Sequence, residues 1–344
     1  MNGVTVTLKD VANHAKVHVA TASRALDPDR QYMVSAQTRE RVRQAAEELG
    51  YRVNALARGL RKGFTGILGV IVPDIGNPFL TPLLRGLEQE LGTRGFMTLV
   101  AETHESSQNL RQICEHMIAR RADGIVVSAA HLGDGPFLKK IAKAMPVVLA
   151  VRGVSAPDHY TVTHDDVRGA RLATAHLADL GHTALAQLRG PEDVSSFNGR
   201  TEGYRQIVAE RRCRDLSSDE TAREPTTQEG KRLAERLLRR GRNRPTAIFA
   251  QNDLMAIGAL EALSEAGLRC PDDISIVGYN DAPLTKHLTP PLTTVRLPSS
   301  ELGARAGAMM LAQLNGTPLK ATTELLLPPD LVVRESTGPA PKTS

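Results

Sequence analysis

The chain has 344 residues, 41% of them hydrophobic and 3% aromatic with no Trp, which is long for one compact core and suits two or three units. Its formal net charge of +5 sits entirely in residues 1–62, where 11 Lys and Arg face 6 Asp and Glu, while the remainder holds 32 of each sign. This excludes a uniformly basic protein and makes the electropositive part a small N-terminal module. No apolar run approaches the roughly 20 residues of a membrane span, and the start lacks the apolar core of a signal peptide, so the cytoplasm is the expected location. Cys114, Cys213 and Cys270 are odd in number, far apart and without metal-ligand spacing, so no disulfide, metal site or cofactor is expected.

Residues 4–26 read as two short helices joined by a tight turn. Thr7 and Asp10 make a capping-box start, and Leu8, Val11, Ala12 and Ala15 then share one face. A second helix from about Val19 to Leu26 turns Ala22, Ala25 and Leu26 inward and leaves Val19, Ala20, Ser23 and Arg24 to a partner. The third follows Ser35, carries Val42, Ala45, Ala46 and Leu49 at helical spacing, and stops at Gly50. Such a helix-turn-helix unit places its second helix in the major groove of DNA. There Arg24 alone can grip a guanine with two hydrogen bonds, while Val19 and Ala20 offer apolar contact to thymine methyls.

These residues carry a family resemblance. TLKDVANHAKVHVATASRAL, followed by VSAQTRERVRQAAEELGYRVNALARGLR, resembles the DNA-binding headpiece of the lactose-repressor/galactose-repressor family of transcriptional regulators. Later anchors are ILGVIVPDIGNPF (67–79), DLGHTALAQLRGP (179–191), NGRTEGYR (198–205), IFAQNDLMAIGAL (248–260), ISIVGYNDAPLTKHLTPPLTTVR (274–296) and LPPDLVVREST (327–337). The resemblance implies a DNA-contacting set of Thr7, Lys16, His18, Val19, Ala20, Thr21, Ser23 and Arg24, with Asn54, Ala57 and Leu60 from the linker. Two departures stand out: Lys16 replaces the family's usual turn Gly, and His18 replaces its usual helix-capping Ser. A left-handed Lys16 costs roughly 1–2 kcal/mol, and a lost cap costs about 1 kcal/mol. Both place a potential cation near phosphate, an offset through binding.

The linker NALARGLRKGFTG is too short to be a stable isolated helix, and Gly59 weakens it further. By resemblance it is a hinge helix that orders when two copies meet in the minor groove, with Leu60 wedged into the central base step. Folding contingent on DNA gives an effector a bistable element to act on.

From Ile67 onward apolar runs alternate with amphipathic stretches in two series, the second beginning after His164, which implies two α/β subdomains with parallel sheets. The resemblance implies a periplasmic-binding-protein-like (type I) effector domain. The expected organisation is a headpiece at 1–52, a hinge at 53–65, and an effector-binding and dimerisation domain at 66–344. Within that domain, one subdomain spans about 66–162 and 292–320, and the other about 163–291 and 321–344.

A ligand in such a fold lies in the cleft beyond the strand ends. Polar residues just after strands can reach it: Asp74, Arg152, Asp165, Asn252, Asn280 and Asp281, joined by Arg200 from a helix start and Phe79 as an apolar wall. Singly, each reads as a cap or surface residue; matching family positions favour Asp74, Arg152, Arg200 and Asn280. Sugar-binding members of the family commonly carry Asp where this chain has Val151 and Asn280. Losing two carboxylates while keeping two arginines suggests an anionic effector, a sugar acid or sugar phosphate, set against an ordinary neutral carbohydrate.

Enzyme signatures are missing: there is no phosphate-loop Gly-x-x-x-x-Gly-Lys-Ser/Thr, no Gly-x-Ser-x-Gly elbow and no His-Glu-x-x-His. An exported solute-binding protein would share the large fold, but the headpiece argues against it. The tail RESTGPAPKTS shows no leucine repeat, so the expected assembly is a homodimer on palindromic DNA.

Overall fold

The structure is a computed structural model that describes residues 6–27, 30–51, 64–155, 159–317 and 324–341. The chain divides into two compact units, Met1–Thr65 and Gly66–Ser344.

In the first unit, helices α1 (Leu8–His14), α2 (Val19–Ala25) and α3 (Ala36–Glu48) pack around Val11, Ala12, Ala15, Ala22, Ala25, Val42, Ala45 and Ala46. Six of these eight are alanines, so the helices lie close together and the core is small. The capping box at α1 forms as read: the Thr7 hydroxyl donates to Asp10 Oδ2 at 2.6 Å, and the Thr7 amide donates to the same oxygen at 2.8 Å. Ser35 caps α3. The linker positions Asn54, Ala57 and Leu60 lie outside the described residues.

The second unit holds two six-stranded sheets. The strands are β1 (Ile67–Val72), β2 (Met97–Glu102), β3 (Gly124–Val127), β4 (Val147–Ala150), β5 (Tyr160–His164), β6 (Ala184–Leu188), β7 (Arg214–Asp215), β8 (Ala247–Ala250), β9 (Ser275–Asn280), β10 (Thr293–Arg296), β11 (Glu324–Leu327) and β12 (Asp330–Val332). The first sheet runs β11-β5-β4-β3-β1-β2 and the second β12-β10-β9-β8-β6-β7, parallel throughout except for the antiparallel pair β10–β12. The central strands β3, β4 and β8 are buried along their whole length, as continuous Val, Ile, Leu and Ala runs require when helices cover both faces.

The helices of this unit are α4 (Leu80–Gly92), α5 (Ser107–Ala119), α6 (Gly135–Ile141), α7 (Asp166–Asp179), α8 (Ser195–Glu210), α9 (Thr227–Leu238), α10 (Asp253–Glu265) and α11 (Ser299–Leu314). In α4, Leu80, Leu83, Leu87 and Leu91 return at intervals of three and four and are all buried.

The chain crosses between the sheets three times, and the crossings differ from the expected boundaries. β5 continues to His164, so the first crossing follows that residue. Strand 293–296 belongs to the second sheet, because Thr293 to Arg296 pair with Val277 to Asn280 of β9 and the Thr294 hydroxyl is fixed on buried Asp253 at 2.6 Å. Strand 324–327 belongs to the first sheet, where Leu327 pairs with His164. Backbone pairing decides this allocation, and an apolar run does not reveal which sheet edge it will join.

Helices α4 and α11 cross at backbone contact. A Cβ at Gly303 would stand 2.0 Å from the Leu83 carbonyl oxygen, and one at Gly86 would stand 2.0 Å from that of Ser300. Gly303→Ala should therefore destabilise the unit by about 1–3 kcal/mol, since overpacking forces the backbones apart. Urea unfolding measures this, and an unchanged midpoint would show that the helices do not approach so closely.

Candidate functional site

The first site is the turn and second helix of the N-terminal unit. Lys16 has φ 51°, the left-handed conformation its sequence position implied. Its amide donates to Asn13 O at 3.1 Å and that of Val17 donates to Ala12 O at 2.9 Å, which is a Schellman closure of α1. The same closure ends α3, with Gly50 at φ 63°. Among the described residues of the N-terminal unit the motif thus ends two helices, once with the residue suited to it and once with a lysine.

At His18 the expected loss of a cap does not occur. The imidazole Nδ1 accepts the Ala20 amide hydrogen at 3.2 Å, so the ring takes the place of a serine hydroxyl. Lys16, His18, Val19, Ala20 and Arg24 are exposed, Thr21 and Ser23 are half-buried, and Thr7 caps α1 beside them. Val19, 37% exposed, and Arg24 are both exposed on α2, an apolar contact at its first turn and a cationic one near its end.

The second site lies where the carboxyl ends of the two sheets meet. A chamber of about 40 Å3 is lined by Asn77, Phe79, Ser128, Val151 and Arg152 from one subdomain and by Ser196, Phe197, Arg200, Asn252 and Asn280 from the other. It shares Pro73, Asn77 and Pro225 with a pocket of about 230 Å3 that also contains Asp74, Glu102, His104, Glu105 and Glu224. Of the expected residues, Phe79, Arg152, Arg200, Asn252 and Asn280 reach the chamber and Asp74 reaches the neighbouring pocket.

Two do not. Asp165 caps α7 by accepting the Arg168 amide hydrogen at 2.9 Å, and Asp281 is held by Arg334 at 2.6 Å and Arg296 at 2.7 Å in an adjoining groove that shares Phe79 and Asn280 with the chamber. Asn252 serves double duty, its Oδ1 capping α10 and its Nδ2 donating to Pro225 O at 2.8 Å. Arg200 rises from the middle of α8, because that helix begins at Ser195 instead of at the arginine.

Both positions where the family commonly has Asp show unusual backbone. Val151 has φ 70° inside a γ-turn closed by Arg152 N to Ala150 O at 2.8 Å, and Asn280 has φ 120°. Strain of this kind costs of order 1–3 kcal/mol per residue and clusters at functional sites. The Asn280 Oδ1 atom is buried with no hydrogen-bond partner among the described residues.

The arginines overturn one expectation. Arg152 grips Glu105 with two bonds of 2.6 and 2.7 Å, and Arg200 grips Asp166 at 2.9 Å while donating to Gln251 O at 2.5 Å and lying over the Tyr279 ring at 4.0 Å. Burial raises the Asp166 pKa while Arg200 opposes that rise; despite burial, hydrogen bonds and charge from Arg152 and His131 hold Glu105 down at about 2. The case for an anionic effector required two arginines without anions, and each already has one.

Sequence reasoning missed Asn77, Ser128, Ser196, Phe197, Glu105 and His164. Glu105 follows β2 as the selected residues follow their strands, so that signal was present. His164 is buried at the end of β5, edge-on to Phe79 with ring centroids 6.1 Å apart, and neither ring nitrogen has a partner among the described residues. Burial and the Arg200 charge push it down to about 3.

With this geometry in view, comparison with known proteins is informative. Residues 7–54 match the model of bacterial regulatory proteins of the lacI family, and residues 174–337 match the periplasmic binding protein-like domain. The ribose operon repressor of Halalkalibacterium halodurans is 34% identical over 333 residues, spanning 96% of this chain and 97% of that one. The chain belongs to the LacI family. The HTH-type transcriptional repressor CytR of Escherichia coli is 33% identical over 337 residues, 97% of either chain.

Among solved structures, a lac repressor dimer bound to operator and the anti-inducer ONPF superposes with a TM-score of 0.85 at 27% identity, covering 97% of this chain and 100% of that one. A LacI family regulator from Enterococcus faecium with bound ribose gives 0.69 at 29% identity, over 79% and 99%. This LacI-family chain is accordingly a DNA-binding transcriptional regulator and not an enzyme.

Lys16→Gly relieves left-handed strain and should stabilise the N-terminal unit by about 1 kcal/mol. It should also weaken DNA binding and reduce the magnitude of the salt slope by about 1 if the ammonium meets phosphate. Thermal melts and binding at several salt concentrations test the two halves, and an unchanged slope would remove the phosphate contact.

For His164 the sign is fixed by proton uptake. Between the ordinary histidine value of 6.5 and about 3, the unfolded chain binds a proton that the native residue refuses. Stability therefore drops as the pH is lowered across that window, by up to roughly 1.4 kcal/mol per unit from this residue. His164→Phe should flatten the slope measured by urea unfolding from pH 7 to 4.5, and parallel slopes for the two proteins would refute the assignment.

Proposed function

We propose that this LacI-family regulator is a homodimeric repressor whose operator affinity is set by a neutral carbohydrate or closely related polyol bound between its two α/β subdomains. The observation that carries the reading is the chamber at the sheet ends together with the adjoining pocket of about 230 Å3, whose Asp74, Glu102 and Glu224 disfavour an anion. The chamber combines Phe79 and Phe197 as apolar walls with Ser128, Ser196, Asn252 and Asn280 as uncharged polar groups, while both nearby guanidinium groups are neutralised.

The kinship with a ribose operon repressor and with a ribose-bound regulator supports a carbohydrate. Likeness to an operator-bound lac repressor dimer supports two copies on a palindrome, with Asn54, Ala57 and Leu60 of the linker reading the minor groove between the half-sites. Exposed Met97 and Leu99 on the edge strand β2 supply apolar surface for such pairing. Its place of action is the cytoplasm, where its DNA lies. An exported solute-binding role has no use for the headpiece.

A thermal-shift screen of pentoses, hexoses, polyols, sugar acids and sugar phosphates, followed by operator-release assays on each hit, tests the effector reading, because a ligand of the native state raises its stability. A panel in which sugar acids bind and every neutral member fails would overturn it. Arg24→Ala should cost about 1–3 kcal/mol per guanine contact and relax base preference at one symmetric pair of operator positions. Selection from randomised operators reads this directly, and uniform weakening without a change in preference would reassign Arg24 to phosphate.

A further inference from the structure

Glu105 occupies a position that its local sequence does not favour. It and His104 are consecutive non-glycine residues in the left-handed region, at φ 53° and 51°, in the loop that leaves β2. Two such residues together are held only where surrounding contacts enforce them. The contact here is the two-bond pairing of the Glu105 carboxylate with the Arg152 guanidinium, whose side chains are 12% and 6% exposed.

The same carboxylate faces a third group. His131 Nε2 lies 3.5 Å from Glu105 Oε2, and His131 Nδ1 lies 2.6 Å from Asp193 of the opposite subdomain. Two backbone contacts flank this crossing: the Leu132 amide donates to Asp193 O at 2.8 Å, and the Gly153 amide donates to Ser195 Oγ at 2.8 Å. The Glu105 carboxylate thus fills the planar fork of Arg152 and lies in a polar chain that runs from one subdomain to the other.

We propose that Glu105 is the resident anion of the Arg152 site, and that by filling it the protein excludes carboxylate and phosphate groups from this end of the effector cleft. Glu105 is then a specificity-determining residue: it makes this end of the cleft read neutral ligands by occupying in advance a fork that an acidic ligand would seek. The inference rests on the cleft being the effector site, but the occupancy of Arg152 is testable without any effector or operator.

In the full-length protein, Glu105→Ala leaves a buried guanidinium beside a carboxylate-sized void. Its melting temperature should fall by several degrees, and sodium formate at tens of millimolar should restore most of the loss, with sodium chloride at equal ionic strength restoring little. Wild type and the double variant Glu105→Ala/Arg152→Met should show no formate-specific shift. Isosteric Glu105→Gln guards against simple misfolding, and calorimetry on it should detect binding of inorganic phosphate at least roughly tenfold tighter than on wild type. A formate response equal in wild type and variant would show that the fork is already open to anions. No formate response in a natively folded Glu105→Ala, or equal phosphate binding by Glu105→Gln and wild type, would equally overturn the proposal. Failure of the carbohydrate screen alone would strike the effector reading and leave the resident anion standing.

Discussion

Burying a guanidinium between two sheets is the constraint around which the cleft is organised. An isolated charge removed from water costs many kcal/mol, so each buried arginine must bring an anion with it. Arg200 brings Asp166 from the first turn of α7 and adds the Gln251 carbonyl and the faces of Tyr279 and Phe197. Arg152 brings Glu105 across a strained loop. With the two guanidinium charges cancelled internally, the chamber offers a ligand apolar and neutral-polar surface from Phe79, Phe197, Ser128, Ser196 and Asn280.

These pairs also tie the cleft to the helices that carry it. α7 follows the first crossing of the chain, immediately after His164, and α8 supplies the arginine it pairs with. Tyr279 lies against that arginine and meets Phe249 at a tilt, and Phe249 stacks on Tyr204, with centroids about 6 Å apart. Gly190 lies directly under Phe197, where any Cβ would stand 2.4 Å from the ring, so the loop after β6 fixes that wall.

The N-terminal unit follows a different economy. Its alanine-rich core is small, and the chain adds a lysine at a left-handed position where Gly50, at the equivalent turn of α3, shows what the backbone prefers. His18 offsets part of the deficit by capping α2 through its ring. Stability is limited where cationic surface is gained, which is reasonable for a module completed by its DNA partner.

The sequence by itself determined the elements whose cause is local. Apolar periodicity, the Thr7 and Ser35 caps and the Gly50 stop are short-range, and they specified three helices and two strand-helix series. Polar placement after strands pointed to Arg152, Asn252 and Asn280, with Phe79 as an apolar wall and Arg200 from a helix, because parallel strands of one sheet end on the same side; Asp165 and Asp281 met the same rule and do not line the chamber. What only the tertiary structure decided is pairing. An arginine's sequence neighbours do not disclose that Glu105, 47 positions away, neutralises Arg152, or that Asp166 neutralises Arg200. The sheet membership of strands 293–296 and 324–327 is equally non-local, since each joins an edge that forms only after the chain has crossed. His164 escaped notice for the same reason: a histidine ending a strand is commonplace, and only burial between Phe79 and Arg200 gives its ring nitrogens meaning.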